Sequence, residues 1–352
     1  AASDVYKRQI VIGSGIGGLT TAASLSKVGK KVLVLEQHYT AGGMTHSYSR
    51  NGYEWDVGVH YIGDVGSRKS LTRRMFDFVS DGELKWAPMD DNYDRFFIGE
   101  ERFDMIAGKK NFVASLKKRF PDEEDAIDEY MFRMARVGKA VQAISMEKTL
   151  GGVAGKLLRL GRKVALPSYI NRTTYEVLRE LTDDEMLIAV LTGQWGDSGV
   201  SPKDSSFMIH CLIANPYLRG AYYPVGGASR MAETIIPVVQ GSGGEVFTYA
   251  NVEEIQVKRG KVRGVRMADG TEIKAPVVIS NADLKKTMSE LVGGEHLKAR
   301  TLRRTEQFVM APSLGVVYLG LDRDLKAEGH PRTNYWIRRS YDDEAMYAAT
   351  LA

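Results

Sequence analysis

The residues best suited to chemistry are glycines. Gly13-Ser14-Gly15-Ile16-Gly17-Gly18 matches G-x-G-x-x-G, and an acid, Glu36, follows 23 positions after Gly13. In such a pattern the first glycine permits a tight turn and the second lets the backbone approach a pyrophosphate. The third lets a helix pack closely on a strand. The free N–H groups at the helix start then face the phosphates. Glu36, with Gln37 beside it, ends the next strand, where a carboxylate can accept from ribose hydroxyls. These residues point to a dinucleotide without separating a nicotinamide from a flavin. A second segment, Ala41-Gly42-Gly43-Met44-Thr45, follows at once, with Gly52, Asp56 and Gly58 beyond it. A Gly-Gly pair there lets the backbone pass close to a long ligand, such as a dinucleotide extended through a ribityl chain. The alternative is an ordinary turn leading into a hairpin.

The elements that must position these residues are legible around them. Ile10-Val11-Ile12 predicts a short buried strand, Leu19 to Val28 a helix, and Lys31 to Leu35 a second strand. Together they form one βαβ unit. From Ser70 to about Glu147 the pattern is helical, with a helix start at Pro121-Asp122-Glu123-Glu124. Thr182-Asp183-Asp184-Glu185 opens another helix through Leu191, and a helix runs from about Ser229 to Gln240. Strands are expected at Glu245–Tyr249, Val252–Lys258, Val262–Met267 and Glu272–Ile279.

Composition narrows the function classes. With 352 residues the chain can hold about two domains. Lys plus Arg number 48 and Asp plus Glu 44, so the net charge of +4 does not argue for a nucleic-acid partner. A single cysteine, Cys211, excludes an intrachain disulfide and a multi-thiolate metal site, and fits a reducing, cytoplasmic setting. No HExxH spacing occurs, no metal is expected, and no apolar run reaches the ~18 residues of a membrane span. No signal peptide opens the chain, and both ends read as cut. Between residues 148 and 175 lie six basic residues and no acid. Val153, Leu157, Leu160 and Val164 fall on one helical face with Lys156, Arg159 and Lys163 beside them. That pattern suits peripheral contact with an anionic membrane surface, or equally a solvated basic face on a packed helix.

The runs Ile10 to Leu19, Val32 to Glu36, Ala41 to Gly43 and Asp56 to Gly58 resemble the flavoprotein superfamily of amine oxidases and carotenoid desaturases. Trp55 to Gly63, Gly193 to Asp197, Ser206 to His210 and Gly220 to Arg230 are similar, more narrowly, to the phytoene desaturase, carotenoid isomerase and retinol saturase family. The likeness covers about residues 10–312. It implies that Gly13, Ser14, Gly15, Ile16, Gly17 and Gly18 cradle the FAD pyrophosphate. Glu36 and Gln37 would meet the adenosine ribose, and Gly42, Gly43, Met44 and Thr45 would wrap the cofactor. It implies further that the Val252 backbone meets the adenine, that Asn281 forms a returning cofactor-side turn, and that His60 and Tyr61 pass near the flavin ring. Members of the family continue well beyond this length and use a C-terminal segment to hold the flavin ring, so the resemblance implies that this segment is missing here.

Hydride chemistry belongs to the cofactor, and the protein supplies orientation and a dry channel. An isolated polyene has no acidic proton and no leaving group, and the sequence displays no Ser/His/Asp arrangement and no paired carboxylates. His60 could donate a proton to a reduced double bond, or serve as a hydrogen-bonded structural histidine beside the cofactor. Tyr61, Tyr222 and Tyr223 could line the substrate channel or be ordinary core tyrosines. His210 and Cys211, set among apolar residues, read as core.

The expected fold class is α/β: a Rossmann-like FAD-binding domain of the glutathione-reductase and amine-oxidase type, with an interleaved α+β substrate domain. The first would comprise residues 8–70 and 225–290, the second 71–224 and 291–352. The expected function is FAD-dependent oxidoreduction of carbon–carbon double bonds in a lipophilic polyene, with NAD(P)H or another electron donor or acceptor as co-substrate. Two alternatives stay open: an amine-oxidase-like flavoenzyme, and a non-catalytic homologue that binds nucleotide or lipid.

Overall fold

The computed structural model describes residues 8–150, 152 and 166–351. The amphipathic positions from Val153 to Val164 lie outside these residues.

A four-stranded parallel sheet organises the half of the molecule that carries the glycine turn. Strand Arg8–Ile12 pairs with Lys31–Leu35 on one side (Ile10 opposite Leu33) and with Val277–Ser280 on the other (Ile10 opposite Val278). Glu245–Phe247 adds beyond Lys31–Leu35, with Val246 opposite Val34. The first two strands are covered on both faces, which explains their near-continuous Ile/Val/Leu runs. Alternation along a strand sends neighbours to opposite faces. Val11, Val32 and Val34 meet helices Ile16–Lys27 and Arg230–Gly241 through Leu19, Ala22, Ala23, Ile235 and Val239. Ile10, Ile12 and Leu35 meet a three-stranded antiparallel sheet, Val252–Lys258, Lys261–Met267 and Glu272–Lys274, through Val252, Ile255, Val265 and Met267.

Two boundaries differ from the sequence reading. The first helix begins at Ile16 rather than Leu19, so the end of the glycine run is already helical. The single strand expected over Glu272–Ile279 breaks at Ala275-Pro276 into Glu272–Lys274 and Val277–Ser280, which join different sheets. Proline offers no N–H to a ladder and favours such a break.

The helical stretch expected from Ser70 to Glu147 is interrupted by strands. Helix Leu71–Val79 is followed by Trp86–Pro88 and by a hairpin, Asn92–Ile98 with Glu101–Ile106. Helices Lys109–Arg119 and Glu124–Leu150 come after it. Phe96, Ile98, Phe103 and Met105 are buried at every second position, a strand period that the surrounding helical residues mask. Asn334–Arg338 returns to lie parallel beside Asn92–Ile98, with Trp336 opposite Phe96. These strands sit on a helical core around Tyr130, Met134, Leu187 and Phe207. The Thr182-Asp183-Asp184-Glu185 start holds: Asp184 caps helix Glu185–Leu191 by accepting the Leu187 N–H at 2.9 Å.

Helix Leu71–Val79 packs toward the parallel sheet, Val79 joining the cluster of Val11 and Val32. A small sheet of Ile62–Gly63, Ala221–Pro224 and Trp86–Pro88 stitches the two halves together. Among the described residues, no helix is long and apolar enough to cross a membrane.

Candidate functional site

The glycine turn leaves the carboxyl end of strand Arg8–Ile12 and enters helix Ile16–Lys27 at Gly15. That helix carries no side-chain cap and no acid in its first turn, so its N-terminal N–H groups can meet an anion. A Cβ at Gly18 would lie 2.0 Å from the Gly13 carbonyl oxygen, so only glycine permits this approach of helix to turn. Gly15 bridges Gly42, and a Cβ at Gly43 would lie 2.8 Å from the Gly15 Cα. The two glycine segments therefore run backbone against backbone. The Asn281 side chain lies across the turn, with its amide within 2.6–3.1 Å of where side chains at Gly17 and Gly15 would begin. Its own N–H donates to the Ile12 carbonyl at 2.8 Å.

Glu36 is buried beside the turn. One carboxylate oxygen, Oε2, accepts from the Ser14 N–H and the Ser14 hydroxyl, each at 2.7 Å, and Oε1 accepts from the His38 N–H at 2.8 Å. Burial alone would raise its pKa, but the His38 and Ser14 N–H groups and the Ser14 hydroxyl outweigh it and hold Glu36 below the ordinary glutamate value. Three donors occupy a carboxylate with about four acceptor sites, which leaves capacity for a further hydroxyl. The Ser14 hydroxyl also accepts from the Gly42 N–H at 3.1 Å, tying the acid, the turn and the second glycine segment into one network.

Around this cradle the expected residues fall into separate groups. Thr45 is buried, and its hydroxyl donates to the Gly42 carbonyl at 2.8 Å, inside its own turn. Met44 is exposed and its side chain meets Gly58. Gln37 is exposed. Ile16 packs on the apolar cluster of Val65 and Phe76. Val252 pairs with Met267 and buries its side chain against the parallel sheet. Tyr222 packs over Gly66 and the same Val65 cluster, whereas the Tyr223 hydroxyl bonds to Asp56 and to the Val59 carbonyl.

His60 and Tyr61 stand two and three residues beyond Gly58, at a second polar centre assembled from distant parts of the chain. Tyr61 is buried and its hydroxyl donates to Asp94 Oδ2 at 2.7 Å. Gln194 Nε2 donates to the same oxygen at 2.7 Å, and the Trp336 indole N–H donates to the Tyr61 hydroxyl at 3.1 Å. Asp94 is fully buried, and its other oxygen, Oδ1, has no hydrogen-bond partner among the described residues. Burial pushes the Asp94 pKa up to about 6, with Tyr61, Gln194 and Trp336 pulling the other way. Burial also pushes the Tyr61 phenol well above its ordinary value. His60 Nε2 lies 3.4 Å from Asp197 Oδ1, and the Asp197 carboxylate is the main cause of a raised His60 pKa.

The sequence reading missed Asp94, Gln194, Asp197 and Trp336. Gln194 and Asp197 lie in a run whose family likeness was visible, yet nothing in the run gives their partners. The sequence displays no paired carboxylates, yet in the fold two aspartates flank the His60–Tyr61 pair. Cys211 is a core residue as expected, and His210 is half-buried beside that core. His210 Nε2 meets the Tyr130 hydroxyl at 2.9 Å, and burial pushes its pKa down to about 4.

Comparison with known proteins places this geometry. Residues 11–79 match the model of the NAD(P)-binding Rossmann-like domain. The chain is 38% identical over 341 residues to the all-trans-retinol 13,14-reductase of Danio rerio, a match covering 93% of this chain and 56% of that protein. It is 26% identical to the chloroplastic prolycopene isomerase of Daucus carota, covering 90% of this chain and 52% of the relative. The chain is thus homologous to retinol 13,14-reductases over most of its own length, and more distantly to a prolycopene isomerase. It spans little more than half the length of these relatives. Among solved structures, a Pyrococcus furiosus protein superposes with a TM-score of 0.63 at 18% identity, covering 86% of this chain and 66% of the other. A putrescine oxidase superposes with a TM-score of 0.58 at 15% identity, covering 86% and 63%. Both likenesses concern the fold, which is the Rossmann-like α/β class with an interleaved second part. In this retinol saturase-like chain the nucleotide cradle lies within the segment that matches the Rossmann-like domain, apart from Asn281. Of the second centre, His60 and Tyr61 lie within that segment, whereas Asp94, Gln194, Asp197 and Trp336 lie beyond it.

Proposed function

We propose that the chain forms the dinucleotide-binding and substrate-facing part of an FAD-dependent oxidoreductase acting on carbon–carbon double bonds of a lipophilic polyene. The observation that carries this reading is the backbone contact of Gly42-Gly43 against Gly15 beside the buried Glu36, in a chain whose relatives are named for retinol reduction and prolycopene isomerisation. The residues fit FAD: an uncapped helix start for the pyrophosphate, acceptor capacity on Glu36 for a ribose hydroxyl, and a second glycine segment where a longer cofactor would pass. When bound, the flavin would supply hydride chemistry. The residues Gly13 to Gly18 and Gly42 to Thr45 would hold its phosphates and ribityl chain by backbone approach. Glu36 would accept from the ribose. Asn281 would close the turn from the far side of the sheet, and Val252 would border the adenine from behind it.

The polyene reading is preferred to an amine substrate because the sequence relatives are named for retinol reduction and prolycopene isomerisation. The likeness to putrescine oxidase is one of fold. NAD(P)H or another two-electron partner would serve as co-substrate. Contact with a membrane surface through 148–175 would give access to a lipid-dissolved substrate.

The test is product analysis with FAD-reconstituted protein, a reductant, and retinol, lycopene and a panel of amines in parallel. The reading expects a saturated, desaturated or isomerised polyene and no peroxide release from amines. Amine-dependent peroxide with every polyene unchanged would overturn it.

A further inference from the structure

We infer that His60 is the proton donor of the double-bond chemistry and that Asp197 is the residue that positions and charges it. The inference rests on the polyene reading for its substrate and on geometry for its residues. His60 follows directly from the cofactor cradle: Gly43 lies against Gly15, Met44 against Gly58, and His60 is two residues further on. Its imidazole tilts against the Tyr61 ring at 4.8 Å between centroids. The groups facing it come from several elements. Asp197 comes from the turn after helix Glu185–Leu191, Asp94 from strand Asn92–Ile98, and the Tyr61 backbone from its own segment.

Asp197 is largely buried while His60 keeps about half of its side chain exposed. One partner is therefore fixed and weakly screened, and the other can exchange protons with solvent. The 3.4 Å separation is an ion-pair distance, longer than a good hydrogen bond, so the carboxylate stabilises imidazolium without tightly holding its proton. Asp94 contributes twice. Its field favours the charged His60, and its bond from the Tyr61 hydroxyl fixes the residue next to His60. Reduction of one C=C bond needs a hydride, for which the reductant is a reduced flavin, and a proton. In the proton half, the Nδ1–H bond of His60, on the nitrogen that does not face Asp197, breaks and a C–H bond forms at the carbon that has not received the hydride. Neutral His60 then regains its proton from solvent through its exposed edge.

The test reads His60 directly. With 13C-labelled histidine rings, six signals are expected, and His60→Gln identifies the one of interest. In the wild-type chain that signal should titrate above the free imidazole value of about 6.5. Asp197→Asn should lower its midpoint by about one pH unit, and Asp197→Glu should restore it. His60→Gln should keep flavin binding and thermal stability while losing at least about 100-fold in polyene turnover. The alkaline limb of the wild-type turnover profile should coincide with the His60 midpoint and move with it in Asp197→Asn. An unchanged midpoint in folded Asp197→Asn, or full turnover by His60→Gln, overturns the inference. Should Asp197→Asn not fold, an Asp197→Glu midpoint equal to that of free imidazole does the same. A wild-type chain that converts no polyene overturns the functional reading instead, so the two failures are separable.

Discussion

Two buried carboxylates, one in each half of the molecule, show how differently the halves are built. Glu36 accepts three hydrogen bonds, two of them from backbone N–H groups, on both of its oxygens, and its pKa is held down. Asp94 accepts two, both from side chains and both on one oxygen, and burial pushes its pKa up to about 6. The nucleotide half fixes its acid with local backbone geometry. Asp94, on strand Asn92–Ile98, is instead fixed by distant side chains: Tyr61 and Gln194 donate to it, and Trp336 of strand Asn334–Arg338 donates to the Tyr61 hydroxyl. The first arrangement suits a binding site that must stay ionised. The second leaves a carboxyl able to change charge near neutrality.

The largest way to break this contrast is at the glycine turn. Gly18→Val would place a side chain 2.0 Å from the Gly13 carbonyl oxygen, and the first helix would have to leave the sheet. The expected cost is about 3 kcal/mol or more, seen as a lower urea midpoint, with flavin binding lost. Gly15 is a milder site than the G-x-G-x-x-G pattern suggests, because its missing side chain would meet the movable Asn281 amide at 3.1 Å.

The next effect separates the two acids by pH. Asp94 has a folded pKa of about 6 against an ordinary 3.8. Stability should therefore fall as pH rises from about 4 to about 6, by about 3 kcal/mol relative to an Asp94→Asn variant, and level off above. Glu36 has the opposite sign: its contribution is complete above the ordinary glutamate pKa and lost as pH falls through the depressed folded value. Urea unfolding of wild type and Asp94→Asn at pH 4, 5, 6 and 7 checks the first, and curves that stay parallel would contradict it.

Much of the nucleotide half was legible from sequence because its determinants are local. The turn glycines, the apolar strand before them and the acid after the next strand lie within 27 residues, from Ile10 to Glu36. The Asp94 centre was not legible. Its strand hid inside a stretch with helical periodicity, and its indole partner, Trp336, joins through a parallel pairing with a segment about 240 residues later. Such pairings are set by topology, which no local pattern encodes.

Two smaller changes sharpen the comparison. Ser14→Ala removes one donor to Glu36 and the acceptor of the Gly42 N–H, for about 1–2 kcal/mol in urea unfolding and a several-fold weaker flavin affinity by titration. Tyr223→Phe removes a hydroxyl that links strand Ala221–Pro224 to Asp56 and the Val59 carbonyl. It should cost about 1 kcal/mol and leave flavin affinity unchanged, since Tyr223 lies outside the cradle.

The most direct test of the account is flavin binding by the wild-type chain and by Gly43→Val, whose side chain would begin 2.8 Å from the Gly15 Cα. Each protein would be incubated with FAD, freed of excess ligand by gel filtration and examined by visible absorbance. The account predicts a stoichiometric flavin band in the wild type and none in a folded Gly43→Val. A colourless wild-type chain, or equal flavin in both proteins, would contradict it.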